Sequence, residues 1–338
     1  MTKLNEREIV DLFVSRIVKK SIYKVIRDDV VMVPIKIGQE KATLAFKCDM
    51  LVESTDVPDL MQPWQISRKS VLASVSDFAA KGIKPNHCLI SIGIPKGYSK
   101  YDIGNLIRGF QKASKEFKVE IIGGDTNQSR ELVIDCILTG LIYPNTENLP
   151  VRRHGARVGD LIVVSGKFGY TSSAFKILLS PSITTTSKFK SKALSSILNP
   201  KPNLKFGFSL ASYFSSSIDS SDGLSASLYE LAQQSNVDFL ITNLPTSRDV
   251  YNFALCNSLS IDDLVFFGGE EYETVATVPR SKFKQMKLKA RSKQISMYVV
   301  GDVVGKSGTK GGNVYLNQNI EGKQRRLLKN YGFMHFSS

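Results

Sequence analysis

The chain has few of the residues from which zinc sites and disulfide frameworks are built. Its 338 residues include four cysteines, with no Cys-x-x-Cys spacing, and three histidines that form no ligand pair. Structural zinc sites and disulfide-rich folds depend on such spacings, so neither is expected. Cys88 and Cys136 lie within apolar runs, which predicts buried, unreactive thiols.

Long apolar runs are also missing. No segment approaches the roughly 18 uninterrupted apolar residues that a membrane-spanning helix needs, and the first residues lack the apolar stretch of a signal peptide. The sequence therefore predicts a soluble, cytoplasmic protein with no membrane partner. Its length allows two ordinary domains, because domains usually contain about 100–200 residues.

Acidic residues are fewer than basic ones, and the formal net charge is +14 at pH 7. In the densest basic stretch, 282–293, Phe283, Met286 and Ala290 recur at helical spacing, so its lysines are interpreted as the solvated face of an amphipathic helix. No zinc finger, recognition helix or aromatic RNA-binding motif accompanies them, and no nucleic-acid partner is expected. A non-catalytic protein that binds nucleic acid through 282–293 and 323–326 stays a minor hypothesis, and it predicts affinity that falls steeply with salt.

Strand-like and helix-like segments alternate along the chain. They predict a helix over 6–19, a helix between Pro63 and Gly82, strands at 88–94, 119–122 and 132–142, and a break at 123–126. This alternation indicates an α/β (α+β) fold. Polar turn residues at 144–150 separate two halves, which predicts domains at residues 1–149 and 150–338. The Ser/Thr-rich segment 180–187 is interpreted as a mobile loop.

Aspartates recur in short segments beside glycine or serine, and they stand out in so basic a chain. Magnesium prefers oxygen ligands, and it usually takes one or two carboxylates together with substrate phosphates. Glycine next to such an aspartate lets the backbone approach a phosphate closely. The alternative is that these pairs only mark turns, and we assign Asp160 and Asp302 to that class. The remaining aspartates predict a magnesium and phosphate site: Asp28, Asp29, Asp49, Asp77, Asp125, Asp219 and Asp222.

The standard nucleotide-binding motifs are incomplete. The segment from Gly301 to Ser307 looks like a P-loop, but its glycine spacing is one residue short, and we interpret it as a hairpin loop. Protein-kinase motifs, a dinucleotide fingerprint and a nucleophile elbow are absent from the sequence. An ATP-dependent enzyme with this sequence would therefore need another scaffold.

Seven fragments of the chain, read in order, form a pattern: Asp28-Asp29, 49–52, 76–82, 122–126, 153–160, 218–224 and 268–273. Together they resemble thiamine-monophosphate kinase, from the superfamily of aminoimidazole ribonucleotide synthetase, selenophosphate synthetase and a hydrogenase maturation factor. The resemblance implies an N-terminal domain whose strands form a barrel across a homodimer, and a C-terminal α+β domain that closes the ATP cleft. It implies transfer of the γ-phosphoryl group of ATP to thiamine monophosphate, giving thiamine diphosphate.

Site residues follow from the same motifs. The resemblance implies that several Mg²⁺ ions are held by Asp29, Asp49, Asp77, Asp125, Asp219 and Asp222. It implies ATP contacts from Gly124, Asp125, Arg153 and Ser221, and substrate contacts from Asp56, Glu270 and Phe333. No catalytic base is expected, because a phosphate monoester has its second pKa near 6 and is already a dianion at neutral pH.

The chain departs from the family pattern at several positions. Arg27 stands where glycine is usual, Lys47-Cys48 replaces Ser-Thr, Asp56 replaces a histidine, and Glu271 replaces an aspartate. A thiol is a poor magnesium ligand, so Cys48 is expected to contribute backbone atoms or nothing. The alternative activity is that of an ATP-dependent phosphoribosylformylglycinamidine cyclo-ligase of the same superfamily.

Overall fold

The computed structural model describes residues 8–10, 12–13, 28–144, 150–306, 308, 311–317 and 325–333. Two β-sheets dominate it. The first has five strands in the order β1-β2-β5-β3-β4, of which only β3 and β4 pair in parallel. Its strands are β1 (Val31–Ile37), β2 (Glu40–Val52), β3 (His87–Pro95), β4 (Glu120–Ser129) and β5 (Val133–Ile142).

Three helices accompany this sheet: α1 (Glu53–Asp56), α2 (Pro63–Ala80) and α3 (Lys100–Phe117). Pro63 opens α2 at a position where its missing N–H costs nothing, and the side chains of Gln62 and Gln65 form a capping box. Gly82 follows the end of the helix with φ +70°, a conformation that favours glycine. The predicted start and end of this helix are confirmed.

The second sheet has seven strands in the order β12-β11-β8-β10-β6-β9-β7. Its strands are β6 (Leu161–Val164), β7 (Ser216–Asp219), β8 (Asp238–Ile241), β9 (Thr274–Val278), β10 (Tyr298–Val304), β11 (Val314–Asn317) and β12 (Arg325–Leu327). Its helices are α4 (Tyr170–Leu179), α5 (Ser187–Leu198), α6 (Leu204–Leu210), α7 (Leu224–Ser235), α8 (Arg248–Cys256), α9 (Ile261–Phe266) and α10 (Arg280–Ser292).

Helix α2 lies between the two sheets. It packs on β2 and β5 of the first sheet, on β7 and β9 of the second, and on α6. The approach to α6 is very close, because a Cβ atom added to Gly207 would lie 1.9 Å from the carbonyl oxygen of Ala79. Almost every side chain from Ile66 to Ala80 is buried, so α2 is a core helix rather than a surface one.

Two predicted loops are wrong. The segment 123–126 lies within β4, paired in parallel with β3. Glycine is required there for close strand packing, since a Cβ on Gly124 would lie 1.7 Å from the carbonyl oxygen of Ile90. Gly301 to Val304 belong to β10, which pairs with β6 and β8 and not with the next strand in sequence. The glycine signal marked close backbone packing in both places.

Other predictions are confirmed. The fold is mixed α/β, the lysine-rich segment forms α10 with Met286 and Ala290 buried, and Cys88 and Cys136 are buried. Of the predicted helix over 6–19, residues 8–10 and 12–13 are helical and the others lie outside the described residues, as does Arg27. Within the described ranges, no helix combines the length and the apolar character that crossing a bilayer requires.

Candidate active site

Three of the predicted metal ligands come together where the two sheets meet. Asp29 precedes β1, Asp77 lies in the last turn of α2, and Asp219 ends β7. All three are buried, and one carboxylate oxygen from each lies within 4.8 Å of the others. We call these residues the aspartate triad. Carboxylate oxygens at this spacing are the kind of donor set that a divalent cation such as Mg²⁺ uses.

A direct hydrogen bond to one member of the triad joins α2 to β7. The Ser76 hydroxyl donates to Asp219 Oδ2 over 2.7 Å, although the two residues are far apart in sequence. After Asp219 the chain turns through Ser220 and Ser221 and enters α7 at Gly223, whose φ is +111°. This glycine permits a sharp exit from the strand.

The triad is electrostatically crowded. Burial, together with the charge of Asp29, raises the pKa of Asp219 to about 7. Burial also raises the pKa of Asp77, despite the nearby Lys47 ammonium, which acts in the opposite direction. Both shifts arise because buried like charges disfavour ionisation. A divalent cation among these oxygens would relieve the repulsion, so the residues present fit the ion that the family implies.

Asp29 is held by two cations. Lys81 Nζ lies 2.7 Å from Asp29 Oδ2 and 2.8 Å from Asp28 Oδ1, and it donates to the carbonyl oxygen of Ser217. Arg153 donates through Nε to Asp29 Oδ1 over 2.7 Å, and its guanidinium also reaches Glu230. Burial would raise the pKa of Asp29, but Lys81 and Arg153 outweigh it, and the pKa is lowered.

Asp49 reaches the triad through Lys47. The Lys47 ammonium lies 3.1 Å from Asp49 Oδ1 and 2.7 Å from Asp77 Oδ2. The Cys48 thiol instead donates to Asp135 over 3.1 Å, and burial and this hydrogen bond raise its pKa to about 11. Successive side chains of a strand point to opposite faces. Cys48 therefore faces away from Lys47 and Asp49, and Asp135 is its own carboxylate partner.

Two of the three predicted substrate residues, Asp56 and Glu270, meet at a buried lysine. Lys69 forms an ion pair with Glu270 and donates to the carbonyl oxygen of Asp56 over 2.7 Å. Among the residues that the structure describes, buried Glu270 Oε2 has no hydrogen-bond partner, and Glu270 adopts φ +66°, an uncommon conformation for a non-glycine residue. Such backbone strain is found preferentially at functional sites.

Backbone hydrogen bonds join this area to the turn after β7. The Glu270 N–H donates to the carbonyl oxygen of Ser221 over 2.7 Å, and the Phe333 N–H donates to that of Asp222 over 2.9 Å. Phe333 is 49% exposed, so its ring is accessible to a ligand. The structure therefore brings Ser221, Asp222, Glu270 and Phe333 together.

Asp125 and Gly124 are placed differently. Both are exposed on β4, the last strand of the first sheet, where Asp125 lies opposite Ser91. Among the described residues, Asp125 does not belong to the carboxylates that lie within 4.8 Å of one another. That Asp125 binds magnesium stays a prediction.

Three further residues discussed from the sequence, Asp160, Asp302 and Glu271, form contacts that stabilise the fold. Asp160 accepts hydrogen bonds from the Arg157 N–H and the Ser215 hydroxyl. The prediction that Asp302 marks a turn is wrong, because Asp302 lies within β10, paired on both sides, and forms an ion pair with Arg280. Glu271 accepts the Gly169 N–H at the start of α4 over 2.7 Å, and burial raises its pKa.

Sequence reasoning predicted Arg153 but missed the three lysines of this site. Lys47, Lys69 and Lys81 each contact at least one predicted ligand, and the side chains of Lys69 and Lys81 are almost fully buried. Lys69 lies inside, and Lys81 just after, a helix that is buried on almost every side. Charged residues are almost never fully buried unless they are paired, which explains these contacts, but the neighbouring residues in sequence carry no signal that identifies the partners.

Known proteins are similar to this chain over most of its length. Residues 27–142 match the family model for AIR synthase related protein, N-terminal domain. The chain is 39% identical to the thiamine-monophosphate kinase of Nitrosopumilus maritimus over 99% of this chain and 100% of that protein. It is 33% identical to the kinase of Pyrococcus horikoshii over 83% of this chain and 84% of that one.

Solved structures give the same result. A structure described as AaThiL complexed with AMPPCP and TMP is similar with a TM-score of 0.80 and 25% identity, over 99% of both chains. Thiamine monophosphate kinase from Aquifex aeolicus has a TM-score of 0.75 at 25% identity, over 93% of this chain and 98% of that one. The resemblance inferred from the motifs is thus confirmed, and the chain belongs to the thiamine-monophosphate kinase family.

Proposed function

We propose that the protein transfers the γ-phosphoryl group of ATP to thiamine monophosphate by direct in-line transfer, giving thiamine diphosphate and ADP. The observation that carries the proposal is the aspartate triad, which three distant parts of the chain assemble beside the Lys69–Glu270 pair. The AMPPCP and TMP named for the similar structure are an ATP analogue and thiamine monophosphate, and they support the same assignment.

We further propose that Asp29, Asp49, Asp77 and Asp219 hold Mg²⁺, with Asp125 and Asp222 joining when phosphates are bound. Magnesium, when bound, neutralises and orients the phosphoryl oxygens. Arg153, already fixed beside Asp29, is suited to bind nucleotide phosphate, because a guanidinium matches phosphate geometry. Gly124 and Ser221 complete the proposed ATP contacts.

No side chain is needed as a general base in this reaction. The acceptor is a phosphate monoester that is largely dianionic at neutral pH, so its oxygen is already a nucleophile. The task of the protein is to align two phosphorylated molecules and to prevent their mutual repulsion. Buried carboxylates and lysines from both sheets meet this requirement.

The thiamine moiety is assigned to Asp56, Glu270 and Phe333. Thiamine carries a positively charged aromatic ring, and Glu270 Oε2 is a buried carboxylate oxygen for which the described part of the chain offers no hydrogen-bond partner. A buried acceptor of this kind is costly unless a ligand satisfies it. The exposed ring of Phe333 lies close by, with its Cβ 3.8 Å from a Cβ placed on Gly269.

The proposal includes a division at residues 149 and 150, a homodimer and a cytoplasmic location. The first sheet uses only strands between Val31 and Ile142, and the second only strands from Leu161 onward, which supports the division. The terminal strand β4 exposes Ile122 by 57%, and such an edge is suited to pairing with a second copy.

An activity assay tests the proposed function. Purified protein incubated with ATP, Mg²⁺ and thiamine monophosphate should form thiamine diphosphate and ADP in equal amounts. Formylglycinamidine ribonucleotide should give no product under the same conditions. ADP and phosphate formed only with the ribonucleotide would instead identify the cyclo-ligase, and no turnover despite normal ATP binding would reject the kinase.

A further inference from the structure

The Lys47 ammonium occupies a position between two proposed magnesium ligands. It contacts Asp77 Oδ2 over 2.7 Å and Asp49 Oδ1 over 3.1 Å, and the side chain is 21% exposed. Lys47 and Asp49 are two residues apart on β2, which places them on the same face of the strand. A lysine in this register brings a positive charge to the carboxylates without any bound ion.

The ammonium changes how the two carboxylates interact with a cation. Asp49 and Asp77 alone would attract a divalent cation strongly, whereas the Lys47 ammonium compensates one of their two negative charges and fills the space between their oxygens. A second cation at this distance is repelled, because two like charges so close together interact strongly near a protein surface. A free ion must therefore displace Lys47 before it can bridge Asp49 and Asp77.

We propose that Lys47 is a positioning residue that acts as a tethered cation: it holds Asp49 and Asp77 together in the nucleotide-free protein and weakens the binding of a free divalent cation to this pair. The inference rests on the proposed function, which assigns both carboxylates to magnesium. It adds that the ion at this pair binds mainly together with the nucleotide phosphates, whose charge compensates for the displacement of Lys47.

Cation binding without nucleotide tests the proposal. The free Mn²⁺ signal in electron paramagnetic resonance would be followed while Mn²⁺ is added to the full-length protein, to Lys47→Met and to Lys47→Arg. Lys47→Met should bind Mn²⁺ about tenfold more tightly, or bind one additional ion. Lys47→Arg keeps the charge and should stay close to the wild type. Lys41→Met is the matched control, because Lys41 is an exposed lysine of the same strand.

Thermal unfolding gives a second readout that does not depend on catalytic activity. With a chelator, Lys47→Met should melt below the wild type, because Asp49 and Asp77 then repel each other, and Mg²⁺ should restore most of the loss. An equal loss with and without Mg²⁺ would mean that Lys47 only packs, and it would overturn the proposal. Lys47→Gln replaces Lys47→Met in both measurements if the methionine variant does not fold.

The outcomes separate this inference from the proposed function. Equal Mn²⁺ affinity and stoichiometry in the wild type and Lys47→Met would overturn the role of Lys47 and leave the magnesium site intact. Failure of every variant to bind Mn²⁺, with or without an ATP analogue, would overturn the magnesium site itself.

Discussion

Lys69 on α2 and Glu270 before β9 form an ion pair across 201 positions of sequence. Lys69 also donates to the carbonyl oxygen of Asp56, so one buried ammonium connects α1, α2 and the Gly268-Gly269-Glu270 segment. Two residues assigned to the thiamine moiety are thereby fixed by a third that has no predicted role of its own.

Replacing Lys69 should impair the acceptor side of the reaction. In Lys69→Met, Glu270 loses its cation and Asp56 its donor, and we expect the KM for thiamine monophosphate to rise by roughly tenfold or more while the KM for ATP changes little. Steady-state kinetics with each substrate varied in turn would measure this. Lys115→Met, an exposed lysine of α3, is the control. Equal changes in both KM values would argue for a general structural effect.

Removing one charge from the aspartate triad should abolish most turnover. Asp77→Asn preserves the volume of the side chain but removes a carboxylate, and we expect kcat to fall by roughly 10²–10³-fold. The companion variant Asp302→Asn changes an aspartate in a surface ion pair and should retain nearly full activity. Near-normal kcat in Asp77→Asn would remove this residue from the set of ligands.

Asp125 should behave differently from Asp77 with respect to stability. Because Asp125 is exposed on β4, Asp125→Asn should leave the melting temperature within about 2 °C of the wild type, yet turnover should be largely lost if its carboxylate meets an ion on bound phosphates. Melting and kinetics on the same preparation would check both parts. Full activity would restrict the ligands to the residues that the structure brings together.

The buried Lys81 should be essential for folding stability. In Lys81→Met, Asp28 and Asp29 lose a shared cation, and breaking such a buried pair typically costs about 3–5 kcal/mol. Urea unfolding followed by circular dichroism would measure the loss. Lys282→Met, an exposed lysine of α10, should change the free energy of unfolding by less than about 0.5 kcal/mol. Arg152 Nη1 lies 3.6 Å from Asp28 Oδ2, and Arg153 pairs with Asp29. A similarly small change in Lys81→Met would mean that these two arginines suffice for the carboxylates.

Glu273 should make stability depend on pH. Burial raises its pKa from 4.5 to about 7, although hydrogen bonds from Ser165 and Asn203 act in the opposite direction. The unfolded chain releases this proton near pH 4.5 and the folded protein near pH 7, so the contribution of Glu273 is favourable below pH 4.5 and is lost as the pH rises to about 7. The loss is at most about 3 kcal/mol.

Glu273→Gln isolates this effect. Its melting temperature relative to the wild type should rise between pH 5 and pH 7.5, because glutamine has no proton to release. Glu40→Gln, an exposed glutamate, should show a constant difference over the same range. A constant difference for Glu273→Gln as well would show that Glu273 ionises normally in the folded protein.

The local parts of this site could be predicted from sequence, and the long-range parts could not. Asp77 and Asp219 stand in short motifs whose helix and turn signals are local. The partners of Lys47 and Lys69 depend on which strands and helices meet, and nothing near these lysines in sequence reveals it. At 123–126 the turn chemistry of Gly-Gly-Asp was overridden by parallel pairing with β3, a tertiary interaction that residue preferences do not contain.

The hydrogen bond between Ser76 and Asp219 spans 143 positions, and that between Arg153 and Asp29 spans 124. Closing such long loops costs conformational entropy before any contact compensates for it. A nascent chain that has emerged only as far as β5 lacks Arg153, Asp219 and the whole second sheet. Most of the polypeptide must therefore emerge from the ribosome before the carboxylates can come together. Ligand binding becomes possible only late in synthesis.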